Sequence, residues 1–593
     1  MADRRHFLGV KNSVSGQPWF DRLDEAGIRR AETIGQRHDL SDFVSRIVAG
    51  RVEHLDDVST YLAPTVRDLM PDPKVMLDME SAVERVAHAL AHREQIAIFG
   101  DYDVDGATSA AILHRVLKAF GSTAPIYIPD RIFEGYGPNQ DALTALKESG
   151  ATLLVCVDCG TSSHDALAHA QKIGLDVVVI DHHQPSADLP HAAAIVNPNR
   201  DDDVSGLGSL CAAGLVFMFV VALNRAMRET ENIALGQNQM LALLPFVALG
   251  TVCDVVPLKG LNRAFTRTGL KAMARRENAG LTALSDVARL DGPPTPYHLG
   301  FVLGPRINAG GRIGQADLGA TLLTSDEPDQ ALRIASELNR LNLERQAVER
   351  AMLETAILEV EQAIGSGPPP DAIVSGHTDW HPGVVGLVAS RLKDRFKRPS
   401  FAIAFRGDRG TGSARSIPGV NVGAILRKAV ENEIAEKGGG HAMAAGFTIN
   451  RERLPEFRAF LEAESAIASA DAEPNGLTVD AALTAGGATV DTIDMMAVGE
   501  PYGSGNPDPV IAMPAHRVRK PSAIKGGHIR CGVVDGAGRS VQAICFRAAD
   551  TPLGDMLMSA SEAIHVAGSL RVDRWGGNRR VQLHIRDAAK VTG

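Results

Sequence analysis

Ile96-Ala-Ile-Phe-Gly100-Asp-Tyr-Asp-Val-Asp105-Gly-Ala107 is the stretch from which the rest of the chain can be read. Four apolar residues predict a short buried strand that Gly100 ends, and an apolar helix is expected from about Ala107. Asp101, Asp103 and Asp105 fall within five residues between the two elements. Carboxylates this close repel one another unless positive charge sits among them. At the mouth of a strand-to-helix turn the usual source of that charge is a divalent cation. The same residues admit a plainer reading, a polar turn with Asp105 as helix N-cap. The stretch alone does not choose between the two.

Working outward, Met79–Arg93 has helical periodicity leading into this strand. Further strands are expected at Ile126–Pro129, Leu153–Val157, Val177–Ile180 and Ala194–Val196, with helical stretches between several of them. The alternation predicts an α/β fold with a mostly parallel, doubly wound sheet. In such sheets ligands bind beyond the carboxyl ends of the strands. Asp158 follows Leu153–Val157, and Asp181, His182 and His183 follow Val177–Ile180. Asp254 follows the apolar segment Leu249–Cys253. A single histidine would be read as a structural one, but adjacent histidines and several aspartates at corresponding element ends are poorly explained as core residues. Carboxylates with one or two imidazoles suit Mn²⁺ or Mg²⁺, and a pair of such ions is the standard device for in-line attack on a phosphodiester.

Composition sets the frame. With 593 residues the chain is too long for one core, and about three or four domains are expected. Apolar and charged contents of 45% and 22% are those of an ordinary folded protein. Met1 to His6 lack the apolar core of a secretory signal. The longest uncharged apolar run, Leu210–Leu223, is too short for a bilayer and reads as a buried helix. A cytoplasmic protein with no membrane contact is expected. Cys156 and Cys159 form a Cys-x-x-Cys that could suggest zinc or redox chemistry, but they end an apolar strand without a second pair, so buried thiols are predicted. The net charge of −10 hides an asymmetry: His516–Gly593 carries 13 Lys and Arg against 6 Asp and Glu, a local +7 on a body of −17. That suits an enzyme gripping a polyanion at chosen places.

Asp-Tyr-Asp-Val-Asp-Gly (101–106), Val-Asp-Cys-Gly (157–160), Asp-His-His (181–183) and Gly-Thr-Val-Cys-Asp (250–254) together resemble the four motifs of the DHH phosphoesterase superfamily. Pro-Asp-Arg-Ile-Phe-Glu-Gly-Tyr-Gly (129–137) and Pro-Arg-Ile-Asn-Ala-Gly-Gly-Arg (305–312) resemble stretches of its RecJ branch, the single-strand-specific exonucleases. The likeness runs from about residue 70 to the C-terminus. It departs at Gly310, where relatives more often have Ala, and at Cys253, and neither touches a proposed ligand.

Beyond the motifs, Asp326–Ile364 reads as one long helix, ended by Gly365-Ser-Gly-Pro-Pro-Pro370. A second α/β lobe follows over 371–464, with glycine-rich turns at 376–383, 410–416 and 438–446. Such turns let backbone N–H groups approach an anion, and Ser413, Arg415 and His441 supply donors. The lobe resembles the DHH-associated domain that holds substrate phosphates. Ser465–Asn475, rich in Ala and Ser, reads as a linker. Short strands at Val510–Met513, His528–Val534, Val541–Phe546, His565–Leu570 and Arg580–Ile585 suggest a small β-barrel, and Glu500–Pro507 resembles the RecJ segment that precedes an OB-fold. Phe546 and Trp575 are the candidate base stackers there, although barrel aromatics are more often core. The expected organisation is an N-terminal segment (1–75), a catalytic domain (76–325), a connecting helix (326–364), a substrate-binding domain (371–464) and an OB-like domain (477–593).

The resemblance implies a metal-dependent exonuclease that degrades single-stranded DNA 5′→3′ to mononucleotides in DNA repair and recombination, with two Mn²⁺ or Mg²⁺ ions. Asp103 and Asp158 are implied to hold one ion, and Asp105, Asp158, His182 and Asp254 the other, with Asp158 bridging. Asp101 and Asp181 stand behind the ligands and orient them, and His183 serves the scissile phosphate or the attacking water. Arg131, Arg306 and Arg312 are assigned to phosphates, with Ser413, Arg415 and His441 across the cleft. A single-strand-binding protein and a helicase are the partners typical of the family, though no docking motif is visible. The nearest alternative is a relative acting on short oligonucleotides, cyclic dinucleotides or pyrophosphate. Those enzymes need no extra β-barrel. A second alternative is a binding protein that has lost its ligands, against which all four motifs retain Asp or His.

Overall fold

The computed structural model describes residues 4–131, 133–186, 188–365, 367–470, 476–573 and 579–591, so Trp575 lies outside the described residues. The chain divides into two compact units. One comprises Met70–Val256 and Thr268–Glu473, and the other Met1–Leu69, Pro257–Arg267 and Pro474–Gly593.

The first unit is organised by the sheet that the opening stretch begins. Strands β1 (Ile96–Gly100), β2 (Ile126–Tyr127), β3 (Leu153–Val157), β4 (Asp176–Ile180) and β5 (Ala194–Val196) lie in the order β2-β1-β3-β4-β5, all parallel. The connections run one way from β1 to β2 and the other way onward from β3, so the order reverses between β1 and β3, where an open α/β sheet binds its ligand. The central strands β1 and β3 are buried along their whole length, which is why each reads as a continuous apolar run. Ala97, Phe99, Leu154, Cys156, Val177 and Val179 pack with Leu143, Leu146, Leu167 and Ala170 of two flanking helices. Cys156 and Cys159 are free, buried thiols in that core.

Helix α1 spans Val104–Ala119. It begins three residues earlier than Ala107 because Asp103, not Asp105, is the N-cap: its Oδ1 accepts from Asp105 N at 2.8 Å and Gly106 N at 3.0 Å. Asp105 is thereby free to point elsewhere. Helix α2 (Ala212–Thr230) is the predicted buried helix, and α3 (Leu244–Cys253) ends with Asp254 as its C-cap. After α4 (Gly304–Ile313), helix α5 runs 37 residues from Pro328 to Ile364 and stops at Gly365.

The second lobe of this unit contains β6 (Ile373–His377), α6 (Val385–Phe396), β7 (Ser400–Arg406), β8 (Arg409–Arg415), α7 (Val422–Glu431), β9 (Lys437–Gly440), β10 (Ala444–Asn450) and α8 (Leu454–Ala470). Its sheet order is β9-β10-β8-β7-β6, with only β6 and β7 parallel. Helix α8 includes Ser465–Ala470, so that part of the expected linker is helical. Phe457, Leu461, Ser465 and Ala468 recur at helical spacing on its inner face, and small residues there fit the packing while hiding the apolar pattern.

In the other unit β11 (Ile511–Ile524), β12 (His528–Val534), β13 (Ser540–Cys545), β14 (Ile564–Asp573) and β15 (Arg580–Lys590) form a sheet closed on itself, because β11 pairs with both β12 and β14. The N-terminal residues belong to this unit rather than standing apart. Trp19–Asp21 pairs in parallel with Leu477–Val479, and the buried Trp19 donates its Nε1–H to Asp587 at 2.8 Å. Asp480 is fully buried and accepts from Arg22 Nε (2.6 Å), Arg51 Nη1 (2.7 Å) and Val510 N (2.9 Å). Pro257–Arg267, inside the stretch assigned from sequence to the catalytic domain, joins the same unit: the Arg263 guanidinium donates to the carbonyls of Tyr61, Glu500 and Pro501. Replacing Asp480 with alanine strands the buried guanidinium of Arg51 without its counter-charge. A loss of about 3–5 kcal/mol is expected, read as a lower urea midpoint for this unit, and an unchanged midpoint would refute the role given to Asp480.

Candidate metal centre

The carboxylates and imidazoles picked out in the sequence converge beyond the carboxyl ends of β1, β3 and β4. His182 Nε2 lies 3.3 Å from Asp158 Oδ1, 3.7 Å from Asp254 Oδ2 and 3.8 Å from Asp105 Oδ2. Three overlapping sets place their ligand atoms within 4.8 Å of one another: Asp158, His182 and His183; Asp105, His182 and Asp254; Asp101, Asp103 and Asp158. Asp158 occurs in two of them. Asp101, given an orienting role from the resemblance, offers an oxygen in the same set as Asp103 and Asp158.

Local structure aims each group. The two Asp105 oxygens accept from Ala212 N (2.6 Å) and Ala213 N (3.0 Å), the first turn of α2, whose positive end favours a carboxylate. Asp181 Oδ1 accepts from His182 N (2.8 Å), His183 N (3.2 Å) and His183 Nδ1 (2.8 Å), and its Oδ2 accepts from Thr161 N (3.1 Å). Asp181 therefore fixes the orientation of both imidazole-bearing residues. Asp158 sits at φ +62°, in the left-handed region that non-glycine residues rarely adopt. Its carbonyl accepts the Tyr136 hydroxyl proton at 3.0 Å. The glycines of two motifs make room for this: a Cβ on Gly250 would lie 2.5 Å from Asp105 Oδ1, and one on Gly106 would collide with the Asp101 backbone.

The cluster is electrostatically unbalanced. Asp101 Oδ1 and Asp158 Oδ1 are buried with no hydrogen-bond partner, and His182, at 3.3 Å, does not meet the second with hydrogen-bond geometry. Burial, then the neighbouring aspartates, pushes Asp101 and Asp158 well above the usual carboxylate range. Burial and the charges of Asp105 and Asp103 push Asp254 to about 8. Burial opposes the ionised form of Asp181 too, but the bond and charge of His183 outweigh it and hold Asp181 below its usual range. Burial likewise works against protonated His183, and Asp181 overcomes it, raising His183 to about 9. Buried oxygens without partners, in a set of carboxylates with imidazoles, fit divalent cations such as Mn²⁺ or Mg²⁺.

In the same unit a cleft of ≈ 600 Å³ is lined by Arg131, Arg406, Arg409, Ser413 and Arg415 together with the glycine-rich backbone of β8 and β10. Arg415 Nη1 donates to Ser413 Oγ (2.9 Å) and to the Ala414 carbonyl (2.8 Å). Arg312 is half-buried and interacts electrostatically with Arg131 and Arg415 of this cleft and with Asp103 of the cluster. Its guanidinium is pushed down to about 10 by burial and by Arg131, Arg345 and Arg415, with Asp103 pulling the other way. Two assigned residues are not brought there. Arg306 is bonded to Asn339 Oδ1 (3.0 Å) and the Val302 carbonyl (2.6 Å), and His441 is exposed and outside the lining. Arg406 and Arg409 were missed by sequence reasoning. Arg409, Thr411, Ser413 and Arg415 alternate along β8, a period-2 row that could have revealed Arg409.

The barrel unit has its own basic face. Arg517, Arg519, Lys520 and Arg530 are exposed on β11 and β12. Phe546 is 51% exposed, with His528 (5.2 Å) and His584 (5.0 Å) edge-on to its ring.

The raised carboxylates give a signed pH dependence. Asp254 binds its proton more tightly folded than unfolded, so its contribution to stability is present below about pH 4 and is lost as pH rises to about 8. The metal-free protein should melt at a higher temperature at pH 6 than at pH 8. Asp254→Asn should flatten that difference, and Mn²⁺ should raise the melting temperature more at pH 8. Equal pH profiles for wild type and Asp254→Asn, measured by calorimetry in EDTA, would refute this account.

Residues 95–251 match the DHH family, N-terminal domain; residues 370–466 match the DHHA1 domain; and residues 479–587 match the RecJ OB domain. The chain is 34% identical over 541 residues to the single-stranded-DNA-specific exonuclease RecJ of Salmonella typhimurium, covering 89% of this chain and 92% of that one. It is 35% identical over 526 residues to RecJ of Bacillus subtilis, where the match takes in 87% of this chain and spans 64% of the relative's length. The crystal structure of RecJ in complex with Mn²⁺ from Thermus thermophilus superposes with a TM-score of 0.79 at 26% identity, covering 97% of this chain and 79% of that one. At 34% identity to the Salmonella typhimurium protein across 89% of its own length and 92% of that relative's, the chain belongs to the RecJ family.

Proposed function

We propose that the protein is a metal-dependent exonuclease that degrades single-stranded DNA from its 5′ end to mononucleotides. Its setting is the repair and recombination of DNA in the cytoplasm, and a single-strand-binding protein and a helicase are its partners on the resemblance alone. The observation that carries the activity is the pair of buried, unpartnered oxygens on Asp101 and Asp158, in a cluster flanked by the arginine cleft.

When bound by Asp101, Asp103, Asp158, Asp105, His182 and Asp254, a pair of divalent ions supplies the positive charge that phosphodiester hydrolysis needs on the attacking water and the departing oxygen. The chain's own groups do the rest. Asp158 belongs to two ligand sets and would serve both. His183, tied through Nδ1 to Asp181, is oriented to donate from its other ring nitrogen to a phosphate oxygen. Arg131, Arg415 and Ser413 face a terminal phosphate, which carries more charge than an internal diester and gains most from a guanidinium fork. Arg312 links the two regions. The barrel's exposed arginines and Phe546 hold the body of the strand through phosphate contacts and base stacking.

Degradation of matched 5′- and 3′-labelled strands in Mn²⁺ tests the polarity directly. Asp158→Ala should abolish cleavage without unfolding the protein, a loss exceeding the ~10²–10⁴ typical of one general acid–base group. A folded variant retaining more than a tenth of wild-type activity would sink the bridged-cluster assignment. Strands bearing a 5′-phosphate should be degraded faster than 5′-hydroxyl strands, and Arg415→Ala should erode that preference while leaving slow cleavage. Wild-type rates and preference in Arg415→Ala would move the terminal-phosphate site elsewhere.

A further inference from the structure

Tyr297 and Phe301 are 63% and 73% exposed, unusual for large rings in a folded unit. Their rings lie nearly parallel, with centroids 5.3 Å apart and an interplanar angle of 24°. The backbone that carries them is a π-helical turn, His298–Leu303, which leads directly into α4. Such turns are rare and recur at functional sites.

The turn is fixed to the metal centre. Leu299 and Leu303 are buried, and His298 Nδ1 accepts from Thr295 N at 3.1 Å. The Leu299 carbonyl accepts from Cys253 Sγ at 3.4 Å, and a Cβ on Gly304 would lie 2.5 Å from that sulfur. Cys253 is the last residue of α3, the helix that delivers Asp254. On the other side of Asp254, Val255 is 68% exposed at φ +63°, a conformation strongly disfavoured for a β-branched residue. Strain of this kind collects at functional sites. The cluster also has two distinguishable ends. Arg131 acts on Asp101 and on Tyr102, over whose ring its guanidinium lies at 5.1 Å. Asp254 stands at the end held by Cys253 and the π-turn.

We propose that Tyr297 and Phe301 form a base-stacking platform for the nucleotides on the 3′ side of the scissile phosphate, positioning the strand as it leaves the cluster past Asp254. The proposal rests on the nuclease reading above and deepens it. A strand whose 5′ end lies at the arginine cleft crosses the cluster and continues toward the exposed rings. Every base has a π-face, so stacking grips the strand without selecting sequence.

The test uses the full chain and a long 5′-phosphorylated oligonucleotide carrying 2-aminopurine at successive internal positions, bound in EDTA so that it is not cut. Wild type should quench the fluorescence at one or two adjacent positions. Tyr297→Ala/Phe301→Ala should lose that quench, and Tyr297→Phe/Phe301→Tyr should keep it. In Mn²⁺ the alanine pair should raise KM for the strand roughly tenfold, with kcat within about twofold. Wild-type quench and KM in the alanine pair would overturn the proposal and leave the apolar patch to a protein contact. If the wild-type protein cuts no strand at all, the nuclease reading fails, while the quench still decides the platform.

Discussion

Like charges buried at the reversal point of a parallel sheet are the constraint on which the first unit turns. Asp101, Asp105 and Asp158 are almost fully enclosed, and two of their oxygens meet no hydrogen-bond donor. Isolated buried carboxylates would neutralise rather than remain charged. The surrounding backbone nevertheless holds them in place: the first turn of α2 grips Asp105, Asp103 caps α1, and Asp158 occupies a left-handed conformation. That arrangement spends folding stability on a site whose electrostatic balance comes from outside the chain.

The surroundings divide the labour by sign. His182 and His183 stand inside the cluster, where a neutral or singly charged ring can take part without the bulk of a guanidinium. The arginines stand further out, in the cleft and at Arg312. Asp181 stands apart from both roles: it keeps its charge and accepts hydrogen bonds from its neighbours, fixing two histidine backbones and one ring.

Much of this was legible in the sequence because it is local. Strand ends place Asp101, Asp158 and His182 on one edge by topology alone, and β3 and β5 lie where the apolar runs put them. What was not legible depended on partners far along the chain. Nothing near Trp19 announces Leu477 or Asp587. A cap can be Asp103 or Asp105 until the helix is built, and only then does the other become available to the cluster. Arg306 is an arginine in a family motif, yet Asn339 on α5 takes its Nε–H. Small residues hid the buried face of α8, and Tyr297 and Phe301 carry no sequence mark separating them from core aromatics.

The same logic accounts for the uneven charge of the chain. A strand of phosphates is repelled by a body of −17, so its grip must come from places where cations are gathered and left accessible. The barrel provides one such place on β11 and β12, and the row along β8 another. Arg51 and Arg263 show the contrast: each is buried among fixed partners, holding the barrel unit together. Counting arginines therefore says little about where a polyanion binds. What decides is whether the guanidinium stays accessible: Arg51 and Arg263 are almost fully enclosed, whereas Arg131 is exposed and Arg415 half-buried. In the cleft, Arg131 and Arg415 repel one another and Arg312, so each is electrostatically worse off until an anion arrives. Cluster and cleft are thus opposite electrostatic imbalances within one unit, negative at the carboxylates and positive at the arginines.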